Sequence, residues 1–215
     1  MIIQRVIKGI SGIGEAAAQR ILVEGITCRW WHKVNPLPFR EIPARLTERN
    51  LDWHQNHYSD PDPLEGGERF ALHTPFISTT AGTVERDTFN KTNVMNPAWK
   101  EALSFATDSL TIDGYLFYCY LLIIGRPAVA HQAFSEELRE LNVYPGFSPY
   151  QPEGEITAKI IIPPAQIEKA EFWSASAALQ VVQSGSLPVP DPAHVLYNPL
   201  FVPPGDYNNV RDFLS

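Results

Sequence analysis

The sequence predicts an α+β fold, because one helical stretch is followed by many strand-like runs and few further helices. Residues 2–24 contain an Ala-rich run that favours a helix, and Gly25 is a natural helix end. The strongest strand is predicted at residues 112–124, which are mostly aliphatic and aromatic. Helical and strand-like runs do not alternate regularly, so a parallel α/β sheet is not expected.

The other elements follow from composition and hydrophobic periodicity, in chain order. Because no linker divides the chain, residues 1–215 are interpreted as one domain that begins with a helical segment at 1–24. The elements are a strand at 26–34, a loop region with one short helix at 35–69, a strand at 70–80, an irregular stretch at 81–97, a helix at 97–109, a short helix at 135–141, a loop at 143–154, a strand at 155–162, a segment at 172–182 that suits either pairing or coil, and a Pro-rich surface tail at 184–215.

The charge and hydropathy of the chain exclude several classes of protein. A formal net charge of −7 argues against a general surface for nucleic acid or anionic membranes, although a local basic cleft stays open. The longest apolar run, residues 115–124, is about half as long as a membrane-spanning helix. The first residues lack the pattern of a signal peptide. A soluble protein is therefore expected, secreted or delivered into a target cell by a secretion system.

The two cysteines, Cys28 and Cys119, both lie in apolar, strand-like runs. Free cysteines are among the most buried residue types, so two buried thiols are predicted. Two cysteines form no disulfide framework, and a single bridge between them stays open.

The glycines near the N-terminus suggest a nucleotide-binding or nucleic-acid-binding turn. Their order, G-x-x-G-x-G ahead of a helix, is wrong for a dinucleotide-binding loop, which needs G-x-G-x-x-G after a strand. The segment Ile10–Gly14 resembles the hairpin of a helix-hairpin-helix DNA-binding motif, in which backbone N–H groups hold a phosphate. Two helices joined by a tight Gly turn are the preferred interpretation. A non-catalytic nucleic-acid-binding module remains an alternative.

A possible metal site is suggested by His54 and His57, which have helical ligand spacing and lie near Asp52 and Asp60. No further residues complete the site, so these side chains are interpreted as solvated polar residues and no metal is expected.

Three strand-associated motifs carry the chemistry, and they occur in a fixed order. Arg29 lies in an apolar run, where a guanidinium can hold a pyrophosphate by two parallel hydrogen bonds. Ser78 lies in Phe76–Thr80, a strand end that bears three hydroxyl groups. Glu153 and Glu155 flank one glycine at the entrance of a strand, where their carboxylates can converge.

Together these motifs resemble the Arg-Ser-Glu class of mono-ADP-ribosyltransferases, the cholera-toxin-like and pertussis-toxin-like enzymes. The strand at 114–118, the helix at 99–109 and the run at 155–173 resemble the family's supporting elements, so the resemblance covers residues 26–173. It implies the ADP-ribosyltransferase fold, a split antiparallel β-sheet that forms an NAD cleft, here with N-terminal helices outside it.

The resemblance implies how NAD is bound and cleaved without a metal. Arg29 holds the phosphates, and Ser78 hydrogen-bonds the nicotinamide-side ribose and orients the catalytic Glu. Thr79 and Thr80 support the strand end and the edge of the NAD. Glu155 places negative charge beside an oxocarbenium-like transition state.

The resemblance also implies an acceptor. Glu153 orients or deprotonates the nucleophile, and Glu at this position accompanies arginine acceptors in the family. The loop at 144–152 is then the target-recognition loop, with Phe147 and Tyr150 as contacts. Expected partners are NAD and a target protein, with a chaperone, an immunity protein or a larger toxin polypeptide as further candidates; neither a membrane nor nucleic acid is expected.

Several alternatives remain at this stage. Arg40 is a second candidate for the phosphate contact, and Phe89 is a weak candidate for the nicotinamide contact. The same site also suits an NAD glycohydrolase or a nucleic-acid ADP-ribosyltransferase. An inactive interaction domain with the same fold is the remaining alternative.

Overall fold

The computed structural model describes residues 2–33, 41–81, 97–123, 155–184 and 192–204. These residues form a mixed structure of helices and antiparallel strands, which confirms the α+β class. The elements are β1 (Ile2–Ser11), α1 (Glu15–Glu24), β2 (Ile26–Thr27), α2 (Arg29–Lys33), α3 (Ile42–Arg45), α4 (Glu48–Asn56), β3 (Pro61–Asp62), β4 (Glu68–Arg69), β5 (Phe76–Ala81), α5 (Pro97–Ala106), β6 (Gly114–Ile123), β7 (Glu155–Lys159), β8 (Ile161–Ile162), β9 (Ile167–Trp173), α6 (Ala175–Ser184) and β10 (His194–Tyr197).

The main sheet has six antiparallel strands in the order β10-β9-β6-β1-β5-β7. Strand β1 lies inside the sheet and pairs with β6 along its whole length, from Ile2 opposite Ile123 to Ser11 opposite Gly114. The predicted helix over residues 2–24 is therefore wrong for Ile2–Ser11 and confirmed for α1. The β-branched residues of β1 favour a strand, and a strand covered on both faces shows no simple alternation of apolar and polar residues.

Apolar clusters lie on both faces of this sheet. Val6 and Ile7 are consecutive in β1, are both buried, and belong to different clusters, so the clusters occupy opposite faces. Helix α1 contributes Ala18 and Leu22 to the cluster around Val6. Helices α5 and α6 cover the face of Ile7. The sheet is thus the middle layer of the fold.

Helix α5 packs directly on the backbone of β1. A Cβ atom added at Gly9 would lie 2.5 Å from the backbone nitrogen of Ala106 and closer still to the carbonyl oxygen of Ala102. A glycine is therefore required at this crossing, because any side chain would push the helix away from the strand.

The sheet splits between β1 and β5. The two strands are joined by the pairs Val6–Ala81 and Ile7–Thr80, and no further pair follows toward Ser11 and Phe76, although the structure describes both of those segments. Strand β5 instead pairs with β7 over five residues. Two half-sheets therefore diverge just beyond Ile7, and Lys8 on β1 and Ser78 on β5 lie in the segments that separate.

Two other strand predictions near the N-terminal half were too long. The predicted strand at 26–34 shrinks to β2, because helix α2 begins at Arg29. The predicted strand at 70–80 begins only at Phe76. Two helices, α3 and α4, replace the single short helix predicted within 35–69.

Later elements agree more closely with the sequence. The predicted helix at 97–109 and strand at 112–124 are confirmed by α5 and β6. The predicted strand at 155–162 is present but broken at Ile160, which has a left-handed φ of 59°. Residues 172–182 divide between β9 and helix α6. The predicted helix at 135–141 and loop at 143–154 lie outside the described residues.

Part of the Pro-rich tail belongs to the sheet rather than wrapping it. Strand β10 pairs with β9 at the sheet edge, from His194 opposite Phe172 to Tyr197 opposite Lys169. The interpretation of residues 184–215 as a surface tail alone is therefore wrong for β10, because its backbone groups are used in strand pairing.

The structure tests the predictions made for the two cysteines and for the glycine turn. Cys28 and Cys119 are buried free thiols, as predicted, and burial raises the pKa of Cys28 to about 11. The segment Ile10–Gly14 joins a strand to a helix rather than two helices, so the helix-hairpin-helix interpretation is wrong. Within the described parts of the chain, no helix has the length and apolar character needed to cross a membrane.

Candidate functional site

The hydroxyl-bearing strand β5 forms one side of the split and lies between β1 and β7 in the sheet. Ser78 is opposite Thr157, and Thr80 is opposite Glu155, the first residue of β7. On its other side, β5 meets β1 at the pair Ile7–Thr80. The sheet therefore brings the second and third sequence motifs onto adjacent strands.

Thr79 supports this pairing from within the sheet. Its side chain is buried, and its hydroxyl donates a hydrogen bond to the carbonyl oxygen of Ile156 on β7. This bond ties β5 to β7 one residue away from the Thr80–Glu155 pair. A supporting role for the strand end is consistent with this geometry, and contact with NAD remains a prediction for Thr79 and Thr80.

Helix α4 supplies a histidine to Ser78. Thr47 caps the helix by accepting a hydrogen bond from the backbone nitrogen of Asn50 at 3.1 Å. Leu51 and His54 are buried and three residues apart, so they share one face of the helix. That face points toward β5, where Leu51 packs on Phe76.

Both ring nitrogens of His54 contact hydroxyl groups. Nδ1 lies 2.8 Å from Oγ1 of Thr74, and Nε2 lies 2.8 Å from Oγ of Ser78. The imidazole also lies against Phe76 and edge-on to Tyr58, each with ring centroids 5.6 Å apart. Only 5% of the residue is exposed, so these contacts replace its hydration.

The His54 imidazole is neutral at physiological pH. Burial, and then the positive charge of Lys8, lower its pKa to about 3. Lys8 is on β1, immediately after the last pair that joins β1 to β5. The split therefore brings a lysine charge close enough to act on the histidine that contacts Ser78.

A part-buried ion pair fixes α4 to the loop that follows it. Arg49 makes two hydrogen bonds to the carboxylate of Asp62, at 2.7 and 3.4 Å, and His73 approaches the same carboxylate at 3.3 Å. Burial acts to raise the pKa of Asp62, but hydrogen bonds from Arg49, the Leu64 backbone and His73 outweigh it, and the pKa falls to about 2. This network holds the helix that carries His54.

The contact between Ser78 and His54 has the distance of a nucleophile and its general base. A general base must accept the serine proton and become charged. With a pKa near 3, His54 strongly resists that change. The pair is therefore better suited to binding and orientation than to serine-nucleophile hydrolysis.

Arg29, the predicted phosphate contact, lies in a different setting from the one expected. It is exposed at the first position of helix α2, so its interpretation as a strand residue is wrong. The reason is local: the strand ends after Thr27, and the Cys28 backbone nitrogen bonds the carbonyl of Ile160 as the chain turns into α2. Lys8, by contrast, lies next to the split, immediately after the last pair that joins β1 to β5.

The two histidines of the metal-like spacing are also separated. His54 is buried against hydroxyl groups, whereas His57 is exposed and pairs with Asp60 at 2.8 Å. The interpretation of both as solvated residues is wrong for His54. Its burial is signalled by the apolar residue three positions earlier, Leu51, which indicates one buried helix face.

Several predicted site residues have no described side chain. Glu155 is described as the start of β7, without its side chain. The remaining predicted residues lie outside the described segments: Arg40, Phe89, Phe147, Tyr150 and Glu153.

Comparisons with known proteins find likeness to solved structures at low sequence identity. No protein-family model and no curated protein matches the chain. The solved structure named EcPltA, a pertussis-like toxin subunit, is similar over 93% of this chain and 87% of its own, with 17% identity and a TM-score of 0.45.

Proposed function

We propose that this protein is a mono-ADP-ribosyltransferase that cleaves NAD between nicotinamide and ribose and transfers ADP-ribose to a protein, as a toxin or effector. One observation carries the proposal. The strand with Ser78 pairs with the strand that begins at Glu155, and on its other side it borders the split beside Lys8. The second and third sequence motifs are far apart in the chain, and their strands are adjacent in the sheet.

In this proposal Glu155 supplies the main electrostatic contribution. Nicotinamide leaves NAD as a neutral ring, so its departure needs no general acid. The ribose develops positive charge as in glycoside cleavage, and a carboxylate held at a strand entrance stabilises that charge. Ser78 orients this carboxylate and the ribose hydroxyl groups.

We assign the phosphate contact to Lys8 instead of Arg29. Lys8 is at the split, and its charge already acts on the His54 that contacts Ser78. A lysine ammonium binds phosphate as a point charge, whereas an arginine makes two parallel bonds. The proposal therefore predicts that Lys8→Arg changes the affinity of the protein for NAD.

The acceptor side of the proposal rests on Glu153, whose residue type accompanies arginine acceptors in the family that the motifs resemble. Delivery into a target cell, with a chaperone, an immunity protein or a larger polypeptide as partner, belongs to the same proposal.

Nicotinamide release from radiolabelled NAD tests the function, with wild type beside Glu155→Gln. The half-exposed Glu168, on β9, provides a matched control as Glu168→Gln. Loss of release in Glu155→Gln alone, with label on lysate proteins for the wild type, supports the transferase. Release without labelled protein or nucleic acid supports a glycohydrolase, label on nucleic acid supports the other alternative, and no release by the wild type overturns the proposal.

A further inference from the structure

The contacts of Thr74 determine which ring nitrogen of His54 carries the proton. Thr74 is 1% exposed, and its Oγ1 accepts a hydrogen bond from the backbone nitrogen of Phe76 at 3.2 Å. Within the described residues, its other side-chain partner is Nδ1 of His54. The threonine hydroxyl hydrogen therefore needs Nδ1 as its acceptor.

Of the two neutral imidazole tautomers, one satisfies Thr74 and the other does not. If Nδ1 carried the proton, Thr74 Oγ1 would accept two hydrogen bonds and its own buried hydroxyl hydrogen would lack an acceptor, which is unfavourable. If Nε2 carries the proton, Thr74 donates to Nδ1, and both ring nitrogens and the buried Thr74 hydroxyl have partners. The Nε2–H group then donates to Ser78 Oγ, which lies 2.8 Å away.

We infer that His54 is a positioning residue that holds Ser78 as a hydrogen-bond donor, through the relay Thr74 O–H to Nδ1 and Nε2–H to Ser78 Oγ. Because Ser78 already accepts from His54, its own hydroxyl hydrogen is directed to another acceptor. A carboxylate accepts hydrogen bonds and a neutral hydroxyl can donate to it, so this arrangement suits orientation of Glu155. The inference rests on the proposed function, and it adds which atom donates and which atom accepts in each hydrogen bond.

The relay is distinct from general-base catalysis, and the low pKa of His54 supports the distinction. A general base would need to direct the lone pair of Nε2 toward Ser78, which requires the other tautomer, with the proton on Nδ1. It would also need to become charged in a buried site where Lys8 opposes a second positive charge. His54 acts here by orienting the hydroxyl group of Ser78, and its protonation state stays constant during the reaction.

Nitrogen NMR of the ¹⁵N-labelled full chain tests the relay without any substrate. The expected spectrum shows His54 with a protonated Nε2 and an unprotonated Nδ1, unchanged from pH 5 to pH 8; loss of the signal in His54→Gln assigns it. A protonated Nδ1, or titration of His54 within that pH range, overturns the inference. This measurement gives the same answer whether or not the chain cleaves NAD, so its failure is separate from failure of the proposed function.

Kinetics of nicotinamide release test the positioning role. His54→Leu removes the donor, and we expect kcat to fall by up to about 100-fold with little change in KM. His54→Gln, whose amide can place an N–H near the Nε2 position, should recover most of that loss. His57→Leu, which changes the exposed histidine just after α4, is the matched control and should leave kcat unchanged.

A double-mutant cycle shows whether His54 acts through Ser78. We expect Ser78→Ala to lower kcat about as much as His54→Leu, and the double variant to be no slower than Ser78→Ala alone. Multiplied losses in the double variant, or no recovery by a folded His54→Gln, overturn the positioning role. Thermal unfolding of each variant establishes that the protein measured is folded.

Discussion

The two sides of strand β1 are joined to the molecule in very different ways. Toward β6, ten residue pairs extend from Ile2 to Ser11. Toward β5, Val6 and Ile7 supply the pairs, and the strands then diverge. The first side is a continuous, helix-covered layer, and the second is a short junction beside which Lys8, His54 and Ser78 lie. The comparison teaches that the candidate site lies where the pairing of β1 with β5 ends.

The strongest test of this comparison changes the continuous side. Gly9→Val places a branched side chain against the α5 backbone at Ala102 and Ala106, where even a Cβ has no room. We expect a loss of about 3 kcal/mol or more in the free energy of unfolding, because either the helix or the strand must move. Urea denaturation measures the loss.

Gly14→Ala is the matched control for that change. A Cβ at Gly14, the N-cap of α1, meets nothing within 4 Å, and its φ of −87° suits any residue. The expected cost is below about 1 kcal/mol, which is the usual range for replacing a helix cap. Equal losses for the two variants would contradict tight packing of α5 on β1.

The pH dependence of stability tests the junction side. Burial and Lys8 lower the pKa of His54 to about 3 from 6.5, so the unfolded chain binds the proton more readily than the folded chain. Its contribution to stability is therefore fully present above pH 6.5 and is lost as the pH falls from 6.5 toward 3, by about 1.4 kcal/mol per pH unit.

Urea denaturation at pH 7, 6 and 5 measures this slope, with His54→Gln beside the wild type. The variant lacks the titrating group, so the difference between the two curves isolates His54. An identical pH slope in both proteins would show that His54 is accessible to protons in the folded state and would contradict its burial against β5.

The smallest expected effect compares the two candidate phosphate contacts. Lys8→Ala removes the charge at the junction, and we expect KM for NAD to rise roughly tenfold, equivalent to about 1.4 kcal/mol. Arg29→Ala changes an exposed residue at the start of α2 and should leave KM within about twofold. A larger effect of Arg29→Ala than of Lys8→Ala would show that Arg29 is the phosphate contact and that NAD does not bind at the split.

Some parts of the fold and the site follow from residues that are close in sequence. Helix α5 and strand β6 were predicted because each has a long local pattern, apolar periodicity for the helix and a continuous apolar run for the strand. Burial of Cys28 and Cys119 follows from their apolar neighbours. The placement of Ser78 on a strand and of Glu155 at a strand entrance also follows from local composition.

Tertiary structure decided the rest, because the contacts join residues that are distant in sequence. Ile2–Ser11 is a strand because β6, more than a hundred residues later, completes its hydrogen bonds. Leu51 signals that His54 lies on a buried helix face, but the hydroxyl groups that His54 contacts are 20 and 24 residues away and cannot be identified from the local pattern. The same folding places Lys8 beside the junction and leaves Arg29 exposed, because β1 enters the sheet and the chain turns into α2 before it can pair with β5.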